Sequence, residues 1–95
     1  MTADFTKQGN AYVLLNDDEE MIAEITYQDK GDYVVADHTF VDPSLRGQGM
    51  AEKLLDHLVA EMAKEDKKIK ALCPYVVDKF AKEPEKYDAI NYDKN

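Results

Sequence analysis

The chain has 95 residues, 44% apolar and 34% charged, which suits one folded domain over residues 1–95 with a modest core and a solvated surface. Its net charge of −8 argues against broad nucleic-acid binding, which depends on neutralising phosphates with Lys and Arg. No apolar run approaches the roughly 20 residues of a membrane helix. The start, Met1-Thr2-Ala3-Asp4, lacks the basic and apolar parts of a signal peptide, so a cytoplasmic protein without membrane attachment is expected.

Along the chain, Tyr12-Val13-Leu14-Leu15 is a short β-prone run ended by the turn signal Asn16-Asp17-Asp18. Met21 to Tyr27 is a second β-rich run, and Asp29-Lys30-Gly31-Asp32 turns the chain into the longest strand candidate, Tyr33 to Val41. Strands joined by turns this short predict an antiparallel meander. Asp42-Pro43-Ser44-Leu45 is a loop, because Pro43 cannot donate to a ladder and disfavours helix at Asp42.

From Gly49 onward the apolar residues Ala51, Leu54, Leu55, Leu58, Val59 and Met62 recur in steps of three and four, so one face of an α-helix is buried. Glu52 near its start and Lys64 near its end suit the helix dipole. Ile69 to Cys73 then alternates as a short strand stopped by Pro74. Val76, Val77 and Phe80 fit a short helix before Pro84, and Tyr87 and Ile90 a further packed turn. The strand before the long helix and the strand after it make a β-loop-α-β crossover with parallel strands. The expected fold class is α+β: an antiparallel meander leading into that crossover, a final parallel strand and short C-terminal helices.

Arg46-Gly47-Gln48-Gly49-Met50-Ala51 stands between a strand and a helix. Alternate glycines let backbone amides approach a phosphate closely, and a helix opening there adds partial positive charge. The competing reading is a loop whose glycines only satisfy local geometry. A P-loop is excluded because no Gly-Lys-Ser/Thr follows. A dinucleotide fingerprint is excluded because Glu52 stands where a third small residue is needed and Leu72-Cys73 where an acidic residue is needed.

Arg-x-x-Gly-x-Ala, after a strand and opening a helix, resembles the acetyl-CoA signature of the GNAT N-acetyltransferase superfamily. The match extends over His38-Thr39-Phe40-Val41, Leu45 to Ala51, Leu72-Cys73-Pro74-Tyr75 and Pro84-Glu85-Lys86-Tyr87, and is similar to a small, single-domain GNAT-like branch. Ala71 departs from that pattern, where a proline is expected. The resemblance implies acetyl-CoA as co-substrate and an amine as acceptor. It implies that backbone groups of Phe40 and Val41 pair with the pantetheine arm. The amides from Gly47 to Ala51, with Gln48 and Met50 between, then hold the pyrophosphate behind Arg46. Lys79 or Lys82 is expected near the adenosine end.

Cys73, the single cysteine, excludes an internal disulfide and a multi-thiolate zinc site, and His38 and His57 alone supply no metal cage, so no metal is expected. Cys73 is either a thiolate nucleophile that takes the acetyl group or a small core hydrophobe. His38 is either a proton acceptor, for the amine or for Cys73, or a strand histidine satisfied by a neighbour. Strict alternation puts His38 with Ala36 and Phe40 on one face and Asp37 with Thr39 on the other. Tyr75 and Tyr87 are candidate pocket walls or proton donors, and His57 has no assigned role. The expected function is acetyl transfer from acetyl-CoA to an amine, direct or through Cys73. The alternatives are a non-catalytic CoA-binding module and a structural interaction domain using an exposed sheet edge. The residues leave the acceptor and the oligomeric state open.

Overall fold

The computed structural model describes residues 5–45 and 47–94. Five strands form one sheet in sequence order: β1 (Thr6–Lys7), β2 (Ala11–Leu15), β3 (Met21–Asp29), β4 (Tyr33–Val41) and β5 (Lys68–Ala71). The first four pair antiparallel, and β5 joins β4 in parallel after helix α1 (Met50–Lys64) has crossed the sheet. Helices α2 (Pro74–Lys82) and α3 (Pro84–Tyr87) follow β5. The α+β meander and crossover expected from the sequence are therefore the fold. The two-residue β1 is an addition, since its exposed Thr6 and Lys7 carry no periodic signal.

The turns are built by the residues that signalled them. Asn16 Oδ1 accepts from the amides of Asp18 and Glu20, both at 2.9 Å, so an Asx-type turn closes the β2–β3 hairpin. Between β3 and β4 the Gly31 amide donates to Asp29 Oδ1 at 2.9 Å, and Gly31 takes a φ of 95° that a side chain would resist.

Helix α1 covers one sheet face through Met50, Leu54, Leu55, Leu58 and Met62, all buried. They meet Ala23, Ile25 and Tyr27 of β3, Val34 and Ala36 of β4, and Ile69 of β5. From α2 and α3, Val76, Phe80 and Tyr87 complete this core, and Phe80 and Tyr87 stack with ring centroids 5.1 Å apart. His57 is part of this packing, edge-on to Tyr12 at 4.7 Å and to Phe5 at 5.2 Å.

Two features depart from simple alternation. The first is a bulge in β4: Thr26 faces His38 while the next residue of β3, Tyr27, faces Ala36, so Asp37 is the extra residue. Its carboxylate accepts from Thr26 Oγ1 at 2.6 Å and from Gln28 Nε2 at 3.1 Å. Thr26 lies between buried Ile25 and Tyr27, so it points to the helix-free face. Asp37 and His38 therefore share that face, and Thr39 returns to the helix side. The expected separation of His38 from Asp37 is corrected, because the inserted residue shifts the period by one. The second departure is at β5, which ends at Ala71 rather than Cys73. The amides of Leu72 and Cys73 both donate to the Ala36 carbonyl, at 3.0 and 2.9 Å, and close the ladder. Cys73 becomes the N-cap residue of α2, with Pro74 at the first helical position, where its missing N–H costs nothing.

Two measurements check this account. Leu58 is fully buried, so Leu58→Ala should lower the urea-unfolding free energy by about 2–5 kcal/mol, the usual cost of such a cavity. The Asp37 carboxyl sits below its ordinary range chiefly because Thr26 donates to it. A depressed folded-state value contributes stability at neutral pH that is lost as the pH falls through the acidic range. Asp37→Asn should therefore flatten the stability profile on the acid side, and an unchanged profile would contradict the bulge network.

Candidate active-site cleft

The shared acceptance by Ala36 is where β4 and β5 part. Beyond it β4 runs on to Val41 with no β5 residue beside it. The orientation of its free backbone groups follows from the β3 ladder. The Asp42 amide donates to the Ile22 carbonyl at 2.8 Å, so the bonded pairs alternate back through Phe40–Glu24 and His38–Thr26. The amides and carbonyls of Thr39 and Val41 consequently point away from β3, to the open edge. The expectation that Phe40 uses its backbone there is corrected: its polar groups turn toward β3. The Phe40 side chain stands 38% exposed on the helix-free face.

The open edge leads into a groove of about 280 Å³ at the start of α1, lined in part by Val41, Gly47, Gly49, Ala51, Glu52 and Tyr75. Gly47 and Gly49 take φ values of 84° and 68°, and a Cβ on either would meet nothing within 4 Å. Backbone handedness, not crowding, thus selects glycine, and the space before the turn stays open. Gly49 is the N-cap of α1 and makes no side-chain cap. The first intrahelical bond runs from the Lys53 amide to the Gly49 carbonyl at 3.1 Å. Helix geometry leaves the amides of Met50, Ala51 and Glu52 without intrahelical acceptors, and these N–H groups make up the positive end of the helix dipole. Met50 itself turns its side chain into the core, and Gln48 lies in the turn between the glycines. Arg46 lies outside the described residues.

Cys73, at the start of α2, meets the open edge of β4 at Thr39. It is 6% exposed, and its Sγ lies 3.4 Å from Thr39 Oγ1, so the hydroxyl and thiol share one proton contact across the parting strands. Thr39 escaped the sequence reading because strict alternation assigns it the wrong distance from the core; a bulge, invisible in the residue pattern, puts it beside Cys73. His38, expected near Cys73, is exposed on the other sheet face. Tyr75 lines the groove, with its phenol raised by burial. Tyr87 does not; it is fully buried, donates to Asp56 Oδ1 at 2.8 Å and is pushed up to about 12, first by burial.

The two lysines expected at the adenosine end separate. Lys79 reaches Glu52 Oε1 at 2.6 Å, at the groove, and also pairs with Glu83. Lys82 is 71% exposed and pairs with Asp78 one turn earlier in its own helix at 3.1 Å. Among the described residues, no group of three or more His, Cys, Asp or Glu side chains is placed to hold a metal ion, and no helix is long and apolar enough to cross a membrane.

The family model described as GCN5-related N-acetyl-transferase matches residues 11–90. The fold is similar to the solution structure of a GCN5-like protein of Staphylococcus aureus, a proposed N-acetyltransferase. That match has 28% identity and a TM-score of 0.77, and covers 95% of this chain and 88% of that one. The crystal structure of the ribosomal-protein-S18-alanine N-acetyltransferase of Escherichia coli is also similar. There the identity is 26% and the TM-score 0.53, over 62% of this chain and 39% of that one. No curated protein gives a significant match. With the family model spanning nearly the whole described fold, from β2 to the turn after α3, the chain belongs to the GCN5-related N-acetyltransferase (GNAT) family.

Proposed function

We propose that the chain binds acetyl-CoA along the open edge of β4 and passes its acetyl group to an amine, with Cys73 as the relay. The observation that carries this reading is the continuity of the cleft. The outward backbone edge at Thr39 and Val41 leads to the glycine turn and the first amides of α1, and Cys73 meets that edge at Thr39. In this reading the pantetheine arm pairs with Thr39 and Val41 as an added strand. The pyrophosphate lies on the amides from Gly47 to Ala51, with Gln48 and Met50 supplying backbone and Arg46 preceding the turn.

The relay has two steps. The Cys73 thiolate attacks the thioester carbonyl, and the CoA thiolate leaves and takes up the proton. A neutral amine then attacks acetyl-Cys73, forming the amide, losing a proton and returning the thiol. Thr39, 3.4 Å from Sγ, orients the nucleophile. His38 stands on the face opposite Cys73, so its proposed proton acceptance serves an amine arriving from the helix-free side rather than the thiol. A free thiol suits a reducing compartment, and we place the protein in the cytoplasm. The second reading is CoA binding without turnover, favoured by the burial of Cys73.

Titration with acetyl-CoA should shift amide resonances from Thr39 to Ala51 and around Cys73, with Phe40 less affected than its two neighbours. Shifts centred elsewhere sink the site assignment. Intact mass after exposure to acetyl-CoA should show a labile acetyl adduct that Cys73→Ala abolishes, together with the amine-transfer rate. If Cys73→Ala leaves transfer unchanged, the cysteine only packs; if the unsubstituted protein binds but never transfers, the carrier reading prevails.

A further inference from the structure

The groove at the glycine turn carries a carboxylate that opposes an anionic ligand. Glu52 is the third residue of α1 and lines the groove beside the amides of Met50 and Ala51. In a chain of net charge −8, this local charge adds to an already unfavourable field.

Residues of α2 and α3 offset it. Lys79 Nζ lies 2.6 Å from Glu52 Oε1, and Lys86 Nζ lies 3.6 Å from Glu52 Oε2 and 3.1 Å from Asp56 Oδ2. Glu83, Lys79, Glu52, Lys86 and Asp56 thus alternate in sign along the seam between α1 and the two short helices. Lys79 is the more confined cation, its side chain 14% exposed against 39% for Lys86. Acids on both sides fix its ammonium group, whereas most surface lysines sample many rotamers. Both lysines are held charged well above the ordinary lysine value, chiefly by these carboxylates.

We propose that Lys79 is a positioning residue for the pyrophosphate turn: it binds no phosphate itself but neutralises Glu52, so that the turn amides can donate to an anion. The proposal rests on the acetyl-CoA reading above. It has a consequence that direct phosphate contact lacks, because harm done by removing Lys79 is undone by removing the charge of Glu52 as well.

The test is a set of dissociation constants for coenzyme A with the unsubstituted protein, Lys79→Gln, Glu52→Gln and the double variant, at low and physiological salt. Lys79→Gln should weaken binding by about tenfold at low salt, a penalty that shrinks as screening rises. The double variant should bind within about threefold of the unsubstituted protein. A merely structural ion pair is lost equally in the single and double variants, so it predicts no rescue. Near-native binding by Lys79→Gln, or weak binding that the double variant does not restore, overturns the proposal. Failure of the unsubstituted protein to bind coenzyme A overturns the pyrophosphate reading and this proposal with it. Binding without rescue overturns this proposal alone.

Discussion

Two amides, those of Leu72 and Cys73, converge on the single carbonyl of Ala36. A parallel ladder has one acceptor for each successive donor, so a doubled claim on one carbonyl stops it. From that point β5 turns into α2 and β4 continues alone. The open edge, the position of Cys73 at a helix start and the gap between them all follow. The bulge at Asp37 supplies the matching adjustment on β4. It reverses the facing of the four residues that follow in β4, so Thr39 meets Cys73 while Asp37 and His38 stay on the far side.

The sheet therefore divides the chemistry into two faces. The helix face holds the thiol, the hydroxyl and the glycine turn. The opposite face holds an ionised Asp37 anchored by Thr26 and Gln28, an exposed histidine and an exposed phenylalanine. The chain belongs to the GNAT family, and in the reading proposed above this division separates a donor side from an acceptor side. The Glu52–Lys79 pair adds that the helix dipole does not act alone at the turn. Its favourable charge is opposed at the third helical residue and restored from a neighbouring helix.

Much of this was legible in the residues. The three-and-four spacing of Leu54, Leu55, Leu58 and Met62 reports a helical period directly, and the bounds of β4 fall at Asp32 and Asp42, on either side of a β-prone run. The glycine turn was legible because positive φ leaves few other choices of residue. What failed has a common cause. Periodicity describes how a backbone repeats, whereas a bulge and a ladder end are decided by the partner strand. Asp37-His38 looks like ordinary alternation until Thr26 and Tyr27 set the register. Leu72-Cys73 looks like strand until both amides find Ala36. Lys79 and Lys82 differ by less than one helical turn in sequence, but only one of them faces α1.

The β4–β5 join has a consequence for motion. β4 pairs with β5 only from Tyr33 to Ala36, while with β3 it pairs from Val34 to Val41. Parallel pairing is also the weaker kind per residue, and this join closes only after the long excursion through α1. Apart from the two-residue β1, this seam is the shortest join in the sheet, and the cleft sits at its end. A ligand bedded between β4 and α2 spans the seam, so its binding free energy adds to the work of pulling β5 away. Slow exchange of the Ile69 amide proton, which is donated across β5's outer side to the Ile90 carbonyl, then becomes a gauge of occupancy from outside the cleft.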